Sequence, residues 1–256
     1  MTLFGSRAAL RDHCSRIIRR MKRPLLILFG FTVLAAGLLA SPTPRAAAAS
    51  PCADVEVVFA RGTAETAPPV GITGLSFEQA LRNQLPGKSV NVYGVNYPAG
   101  SNFDNRIAFV EGVVKGINDT QRRVKYLAAQ CPGSHIVVGG YSQGAVVASY
   151  ALSNKIQLDP RYRQYQDRVP QPLADNAASH VTAAILFAPP SANWIKQVGA
   201  PPMNVGPLYV GKTKRYCIPG DVVCDGAPVG QPNGLHVLYA VNGMTVDAAQ
   251  YVKARL

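Results

Sequence analysis

Short apolar runs and longer stretches of helical spacing alternate along the chain. The short runs are rich in Val, Ile and Phe and are bounded by Gly, Pro or Asp, which is typical of buried strands. They lie at residues 54–60, 89–95, 136–138, 181–187 and, with more polar residues, 212–217. Apolar residues at helical spacing predict helices at 75–85, 103–130, 145–152 and 246–256.

Alternation of strands and helices predicts an α/β protein with one parallel sheet. The polar composition of the last predicted strand, 212–217, suits an edge of that sheet. Residues 159–176 are polar and interrupted by prolines, so we interpret them as a surface excursion. The connections between the predicted elements are too short to hold a second domain.

The third predicted strand leads into a Gly-x-Ser-x-Gly pentapeptide that runs from Gly140 to Gly144. Strand, sharp turn and helix form the context of a nucleophile elbow, in which the central residue, here Ser142, is exposed at the start of a helix. The two glycines fit because a side chain at either position would strike the neighbouring strand or helix. An ordinary serine in a Gly-rich turn is the alternative interpretation, and the flanking strand and helix favour a nucleophile.

A serine nucleophile needs a histidine base within hydrogen-bond reach and a carboxylate that orients the base. Functional loops of a parallel sheet gather at the carboxyl ends of its strands. His135 and His180 each precede a strand and belong to the opposite edge, whereas His236 follows the last strand. His236 is therefore the predicted base.

Two carboxylates, Asp221 and Asp225, follow the last predicted strand at its carboxyl end, while Asp54 and Asp175 precede strands. A disulfide around Asp221 would hold its backbone rigid, which suits a residue that must fix one imidazole tautomer. Asp221 is the predicted acid, and Asp225 is the next carboxylate to test. The order Ser, Asp, His along the chain is that of α/β-hydrolases.

An oxyanion hole needs two backbone N–H groups that point at the developing charge. Gln143, directly after the serine, is one candidate donor. Thr63, in the Arg-Gly-Thr sequence after the first strand, is the second, and its hydroxyl could add another hydrogen bond.

Hydrophobic residues make up 48% of the chain and charged residues 16%, which suits a globular protein with a sizeable core. The net charge is +12, but the first forty-nine residues hold eight Lys or Arg and one Asp. The remainder is only mildly basic and shows no nucleic-acid-binding motif, so no nucleic-acid partner is expected.

The basic start is followed by an apolar run at 25–40 and a small-residue stretch at 46–50, the pattern of a secretory signal peptide. We expect residues 1–49 to be cleaved near Ala49, with Met21 as a second candidate start, leaving a domain at 50–256. An uncleaved anchor is the alternative. An apolar helix of this length spans about 24 Å, less than a hydrocarbon core of about 30 Å.

Four cysteines remain after the predicted cleavage, and an even number in an exported chain predicts two disulfides with three pairings open. Cys217 and Cys224 are close in sequence, so we pair them with each other and Cys52 with Cys131. A zinc site is the alternative, but the spacings do not fit zinc patterns and no histidine clusters with them. No metal or cofactor is predicted.

Together these residues resemble the cutinase family of secreted esterases. The matching segments are Phe59-Ala60-Arg61-Gly62-Thr63-x-Glu65, Gly139-Gly140-Tyr141-Ser142-Gln143-Gly144, and Cys217-x-x-x-Asp221-x-x-Cys224 with a downstream His236. The resemblance implies a compact α/β-hydrolase with a central five-stranded parallel sheet, flanking helices and no lid domain. It also implies Ser142, Asp221 and His236 as the triad and Thr63 with Gln143 as the oxyanion hole.

The expected activity is hydrolysis of carboxylic esters with short to medium acyl chains by a secreted, monomeric serine esterase. Its partners would be an ester or lipid substrate, with transient contact to lipid or polymer surfaces. An acyltransferase that uses the same triad is one alternative, and a non-catalytic cell-surface binding protein on the same fold is the other.

Overall fold

The fold is built on a five-stranded sheet in which all strands are parallel and follow the order β2-β1-β3-β4-β5. A computed structural model describes residues 52–65, 69–226 and 231–256, and the predicted signal peptide lies outside them. The strands are β1 Val55–Ala60, β2 Val90–Gly94, β3 His135–Tyr141, β4 Val181–Phe187 and β5 Thr213–Tyr216. The parallel sheet and the edge position of the polar β5 are as predicted.

Seven α-helices and two 3-10 helices are present in the described residues. The α-helices are α1 Gly71–Gln84, α2 Arg106–Gln130, α3 Gln143–Ala151, α4 Asp175–Ala178, α5 Ala192–Gln197, α6 Pro207–Val210 and α7 Met244–Lys253. The 3-10 helices are Pro160–Arg168, which lies in the predicted surface excursion and has no buried residue, and Gly234–Ala240. No helix in the described part of the chain is long and apolar enough to cross a membrane.

Alternate residues of each strand face opposite sides of the sheet and build two separate cores. Val58 and Val138 pack with residues of α2 and α3 on one side. Val57 and Val137 pack with residues of α1 and α7 on the other. Helices cover both faces of the sheet, so successive residues of β1, β3 and β4 are buried on one side or the other. These strands are therefore nearly continuous apolar runs in the sequence.

One charged residue, Glu56, is buried within the otherwise apolar β1. Its carboxylate accepts hydrogen bonds from the Ala53 amide at 3.1 Å, from Asn91 Nδ2 at 2.8 Å and from Arg123 Nη2 at 3.3 Å. The Arg123 guanidinium also lies over the Tyr93 ring, 4.9 Å from its centroid. Because Asn91 lies on β2 and Arg123 on α2, these contacts join β1 to both elements.

We expect Glu56→Ala to lower the free energy of unfolding by about 3 kcal/mol, because it strips the Arg123 charge of its buried partner. Urea denaturation measures the loss. Glu78→Ala is the matched control, since the Glu78–Arg82 pair on α1 is partly exposed and contributes at most about 1 kcal/mol. Equal losses in the two variants would contradict the structural role of Glu56.

Candidate active site

Ser142 lies in the turn between β3 and α3 with φ +54° and ψ −116°, a conformation that costs energy in any residue with a side chain. Its amide donates a hydrogen bond to the Phe187 carbonyl at the end of β4, at 2.9 Å, which holds the turn in place. A Cβ at Gly140 would lie 2.2 Å from the Gly144 carbonyl oxygen, and one at Gly144 would lie 1.9 Å from the Ala60 oxygen. Both positions therefore require glycine, as the sequence pattern predicts.

His236 lies in the 3-10 helix Gly234–Ala240 and is buried. Its Nε2 is 2.9 Å from Ser142 Oγ, while its Nδ1 is 2.9 Å and 3.1 Å from the two carboxylate oxygens of Asp221. The Tyr141 hydroxyl donates to the His236 carbonyl oxygen at 2.5 Å and so fixes the backbone of the histidine. The three predicted triad residues thus form one continuous hydrogen-bonded chain.

Asp221 is fully buried in the loop after β5, which the Cys217–Cys224 disulfide closes. Burial acts to raise the pKa of its carboxyl group. Hydrogen bonds from His236, from the Tyr239 hydroxyl at 2.7 Å and from the Val223 amide at 3.0 Å outweigh this effect, so the pKa lies below its ordinary value of 3.8. The group is therefore ionised at neutral pH.

The other candidate bases and acids lie elsewhere. His135 begins β3, at the edge of the sheet opposite to Ser142, and its Nδ1 is 3.0 Å from Thr182 Oγ1. His180 directly precedes β4. Asp225 Oδ2 accepts a hydrogen bond from the Gly220 amide at 2.6 Å, which shapes the turn around Asp221.

Thr63 and Gln143, the predicted oxyanion donors, follow neighbouring strands, Thr63 in the loop after β1 and Gln143 at the start of α3. Ala60, the last residue of β1, pairs with Gly140, one residue before the end of β3, and each predicted donor lies three residues after its paired residue. The loop around Thr63 is held on both sides, because the Ala64 amide donates to the Ala99 carbonyl at 2.7 Å and the Gly62 amide donates to Glu65. Gln143 Nε2 donates to the Gly100 carbonyl at 3.2 Å.

Glu65 and Tyr141 lie within the quoted motifs, but the motifs alone predict no role for either side chain. Glu65 Oε2 accepts from the Gly62 amide at 2.6 Å, and Oε1 accepts from the Ile72 amide in the first turn of α1 at 3.0 Å. Glu65 thereby joins the loop of Thr63 to the start of α1. The three-residue spacing of Gly62 and Glu65 could have suggested the first of these hydrogen bonds. The contact with Ile72 depends on how α1 packs and could not be predicted from the motif.

Both disulfides expected from the sequence are present, Cys52–Cys131 and Cys217–Cys224. Within residues 52–65, 69–226 and 231–256, no three His, Cys, Asp or Glu side chains are grouped so that they could hold a metal ion.

A parallel sheet with a serine in a strained strand-to-helix turn, followed along the chain by an aspartate and a histidine, defines an α/β-hydrolase. A family model described as Cutinase matches residues 51–256. The chain therefore belongs to the cutinase family, which confirms the resemblance inferred from its motifs.

Comparison with individual proteins supports the same family. Probable carboxylesterase Culp7 of Mycobacterium tuberculosis is 43% identical over 176 residues, 68% of this chain and 89% of the relative. Phospholipase Culp4 of the same organism is 34% identical over 246 residues, 96% of this chain and 98% of the relative. The structure of Trichoderma reesei cutinase in complex with a C11Y4 phosphonate inhibitor is 27% identical with a TM-score of 0.57, covering 80% of this chain and 77% of that chain. The compact α/β-hydrolase fold is thus confirmed.

We expect Gly144→Ala to destroy the elbow, because the new methyl group would force α3 away from the Ala60 carbonyl. Circular dichroism melting and labelling by a fluorophosphonate together measure the loss. Gly133→Ala is the control, since a Cβ there meets no atom within 4 Å. A Gly144→Ala protein that melts and labels like the wild type would contradict the close approach.

Proposed function

We propose that this carboxylic ester hydrolase is a secreted serine esterase that forms an acyl-enzyme on Ser142 and acts on esters with short to medium acyl chains. The observation that carries the proposal is the unbroken chain of hydrogen bonds from Ser142 Oγ through His236 to Asp221. Two disulfides support an oxidising compartment and therefore export. Removal of residues 1–49 and a monomeric state remain predictions.

In the acylation step, Ser142 Oγ attacks the ester carbonyl carbon while its proton passes to His236 Nε2. The oxygen of the tetrahedral intermediate takes the negative charge and accepts hydrogen bonds from the backbone N–H groups of Thr63 and Gln143. Collapse of the intermediate breaks the bond to the alcohol oxygen, which receives the proton from His236. The acyl group then remains on Ser142.

In the deacylation step, a water molecule replaces the alcohol. His236 takes a proton from the water, the hydroxide equivalent attacks the acyl carbon, and the Ser142 oxygen leaves with the proton that His236 returns. The charged Asp221 stabilises the imidazolium that forms in both steps. Its lowered pKa keeps this charge in place at neutral pH.

The surface beside His236 supports contact with lipid or polymer esters. Val237 and Val241 in and after the same 3-10 helix are 69% and 77% exposed. Ile72, Leu75 and Val241 lie on a groove of about 500 Å³ between α1 and this helix, whose other walls include the polar side chains of Ser76, Glu78, Gln79 and Arg82. We call Ile72, Leu75, Val237 and Val241 the aliphatic rim. Exposed aliphatic groups on one surface favour its adsorption to an apolar surface.

We expect Ser142→Ala to lower kcat/KM for p-nitrophenyl butyrate at least about a thousandfold with the fold intact, because the nucleophile is lost. His236→Ala should be equally inactive, since His236 Nε2 is the proposed acceptor of the Ser142 proton. Hydrolysis assays and fluorophosphonate labelling measure both effects, and circular dichroism checks folding.

His180→Ala is the matched control and should retain wild-type turnover, because His180 lies before β4. A Ser142→Ala protein that still hydrolyses and labels would refute the proposed nucleophile. Product analysis with and without an acceptor alcohol separates hydrolysis from acyl transfer by the same residues. An inert wild-type serine would instead favour the non-catalytic alternative.

We expect Val241→Asp to reduce hydrolysis of an emulsified triglyceride several-fold, because a charge in the aliphatic rim opposes contact with an apolar surface. Hydrolysis of a dissolved short-chain ester should be unchanged, since the triad is untouched. Tyr162→Asp is the control, because Tyr162 is also exposed but lies in the 3-10 helix Pro160–Arg168. Equal losses on both substrates would contradict a role in surface contact.

A further inference from the structure

Tyr239 is a fully buried residue that sequence reasoning did not single out. It follows His236 by three residues on the same 3-10 helix, which places both side chains on one face of that helix. Its ring packs against the Tyr141 ring at 5.9 Å between centroids and meets the His236 ring edge-on at 6.4 Å. The side chain is therefore enclosed by the elements that form the active site.

The hydroxyl group of Tyr239 has a fixed hydrogen-bond direction. It lies 2.9 Å from the Ile218 amide nitrogen, which can only donate, and 2.7 Å from Asp221 Oδ2, which as a carboxylate oxygen can only accept. The phenol must therefore accept from Ile218 and donate to Asp221. Burial, followed by the nearby Asp221 carboxylate, raises the pKa of Tyr239, so the phenol keeps its proton. Cys224 Sγ of the loop disulfide is 3.0 Å from the same oxygen.

In addition to His236 Nδ1, each carboxylate oxygen of Asp221 has one hydrogen-bond donor. The Val223 amide bonds Oδ1, and the Tyr239 hydroxyl bonds Oδ2. Val223 is two residues from Asp221 in the same turn, so its amide moves with that turn. Tyr239 instead reaches Asp221 from the helix that carries His236. It is the donor that ties the position of the acid to the position of the base.

We propose that Tyr239 is a positioning residue that sets the plane of the Asp221 carboxylate so that it can meet His236 Nδ1. This inference rests on the proposed serine esterase mechanism. The Ile218 amide fixes the phenol at the end of β5, the phenol fixes the carboxylate, and the carboxylate fixes the imidazole. A carboxylate turned out of this plane would leave the imidazole free to rotate away from Ser142.

If Tyr239 only filled the core, a different result would be expected from its substitution. Its loss would lower stability but leave turnover per folded molecule and its pH dependence unchanged. A positioning residue lowers kcat with little change in KM, because the alignment of the triad does not bind the substrate. Small misplacements of catalytic groups can cost a hundredfold in rate.

Tyr239→Phe keeps the ring and removes only the hydroxyl group. We expect kcat on a dissolved ester to fall about ten- to a hundredfold per active site titrated with a fluorophosphonate, with KM within about twofold of the wild type. Tyr216→Phe is the matched control, since the buried Tyr216 hydroxyl also bonds a carboxylate, Asp247, at 2.6 Å but does not contact the triad. It should keep wild-type kcat. Equal kcat in the two variants would overturn the proposal.

The pH profile is the second readout. The groups around Asp221 are His236, Tyr239, Tyr141 and the Asp225 carboxylate, and none but Tyr239 is changed. Loss of the donor raises the proton affinity of the hydrogen-bonded Asp221–His236 pair, so the acid limb of kcat/KM, which reports proton binding by that pair, should move to higher pH in Tyr239→Phe. An unmoved acid limb would count against the proposal.

A double-variant cycle tests whether Tyr239 acts through Asp221. In an Asp221→Asn background, Tyr239→Phe should cause no further loss of kcat, because the carboxylate that Tyr239 orients is already absent. Independent, multiplicative losses would overturn the proposal. Ser142→Ala separates the two levels: activity in that variant refutes the mechanism, whereas an inactive Ser142→Ala with an unaffected Tyr239→Phe refutes only the role of Tyr239.

Discussion

The close approach of the β3–α3 turn to the end of β1 is the constraint on which the site depends. With no side chain at Gly144, the backbone of α3 can pass the Ala60 carbonyl at a distance that a methyl group would block. That contact sets the ends of β1 and β3 side by side. The turn that carries Ser142 therefore lies beside the loop that carries Thr63.

Local patterns predicted the strands and long helices well, because each buries a regular set of apolar residues. Residues 54–60 were predicted as a strand, and β1 covers Val55–Ala60. The short helices α5 and α6 were missed, since six and four residues are too few to show helical periodicity. Their buried residues, Ile195 and Tyr209, are held by tertiary packing instead.

The triad residues could be predicted because strand direction determines which edge of the sheet they occupy. The residues that support them could not be predicted, because their contacts join segments that are distant in the sequence. Knowing which edge of the sheet carries function was enough to prefer His236 over His135 and His180. The partners of Asp221 could not be predicted in the same way, because the Tyr239 hydroxyl reaches it across eighteen residues. In the sequence, Glu56 interrupts the apolar pattern of β1. Its partners Asn91 and Arg123 are distant in the chain and are identified only by the structure.

The Cys52–Cys131 disulfide has a consequence for how the protein can be attached to a support. Cys52 lies three residues before β1, and Cys131 ends α2 just before β3, so the bond lies at the amino ends of the strands. Ser142 follows the carboxyl end of β3, about 20 Å away along seven residues of strand. A linker fused to the backbone ahead of Cys52 therefore attaches at the edge of the sheet opposite to the triad. The disulfide ties this attachment point to Cys131, so tension on the linker is not borne by β1 alone.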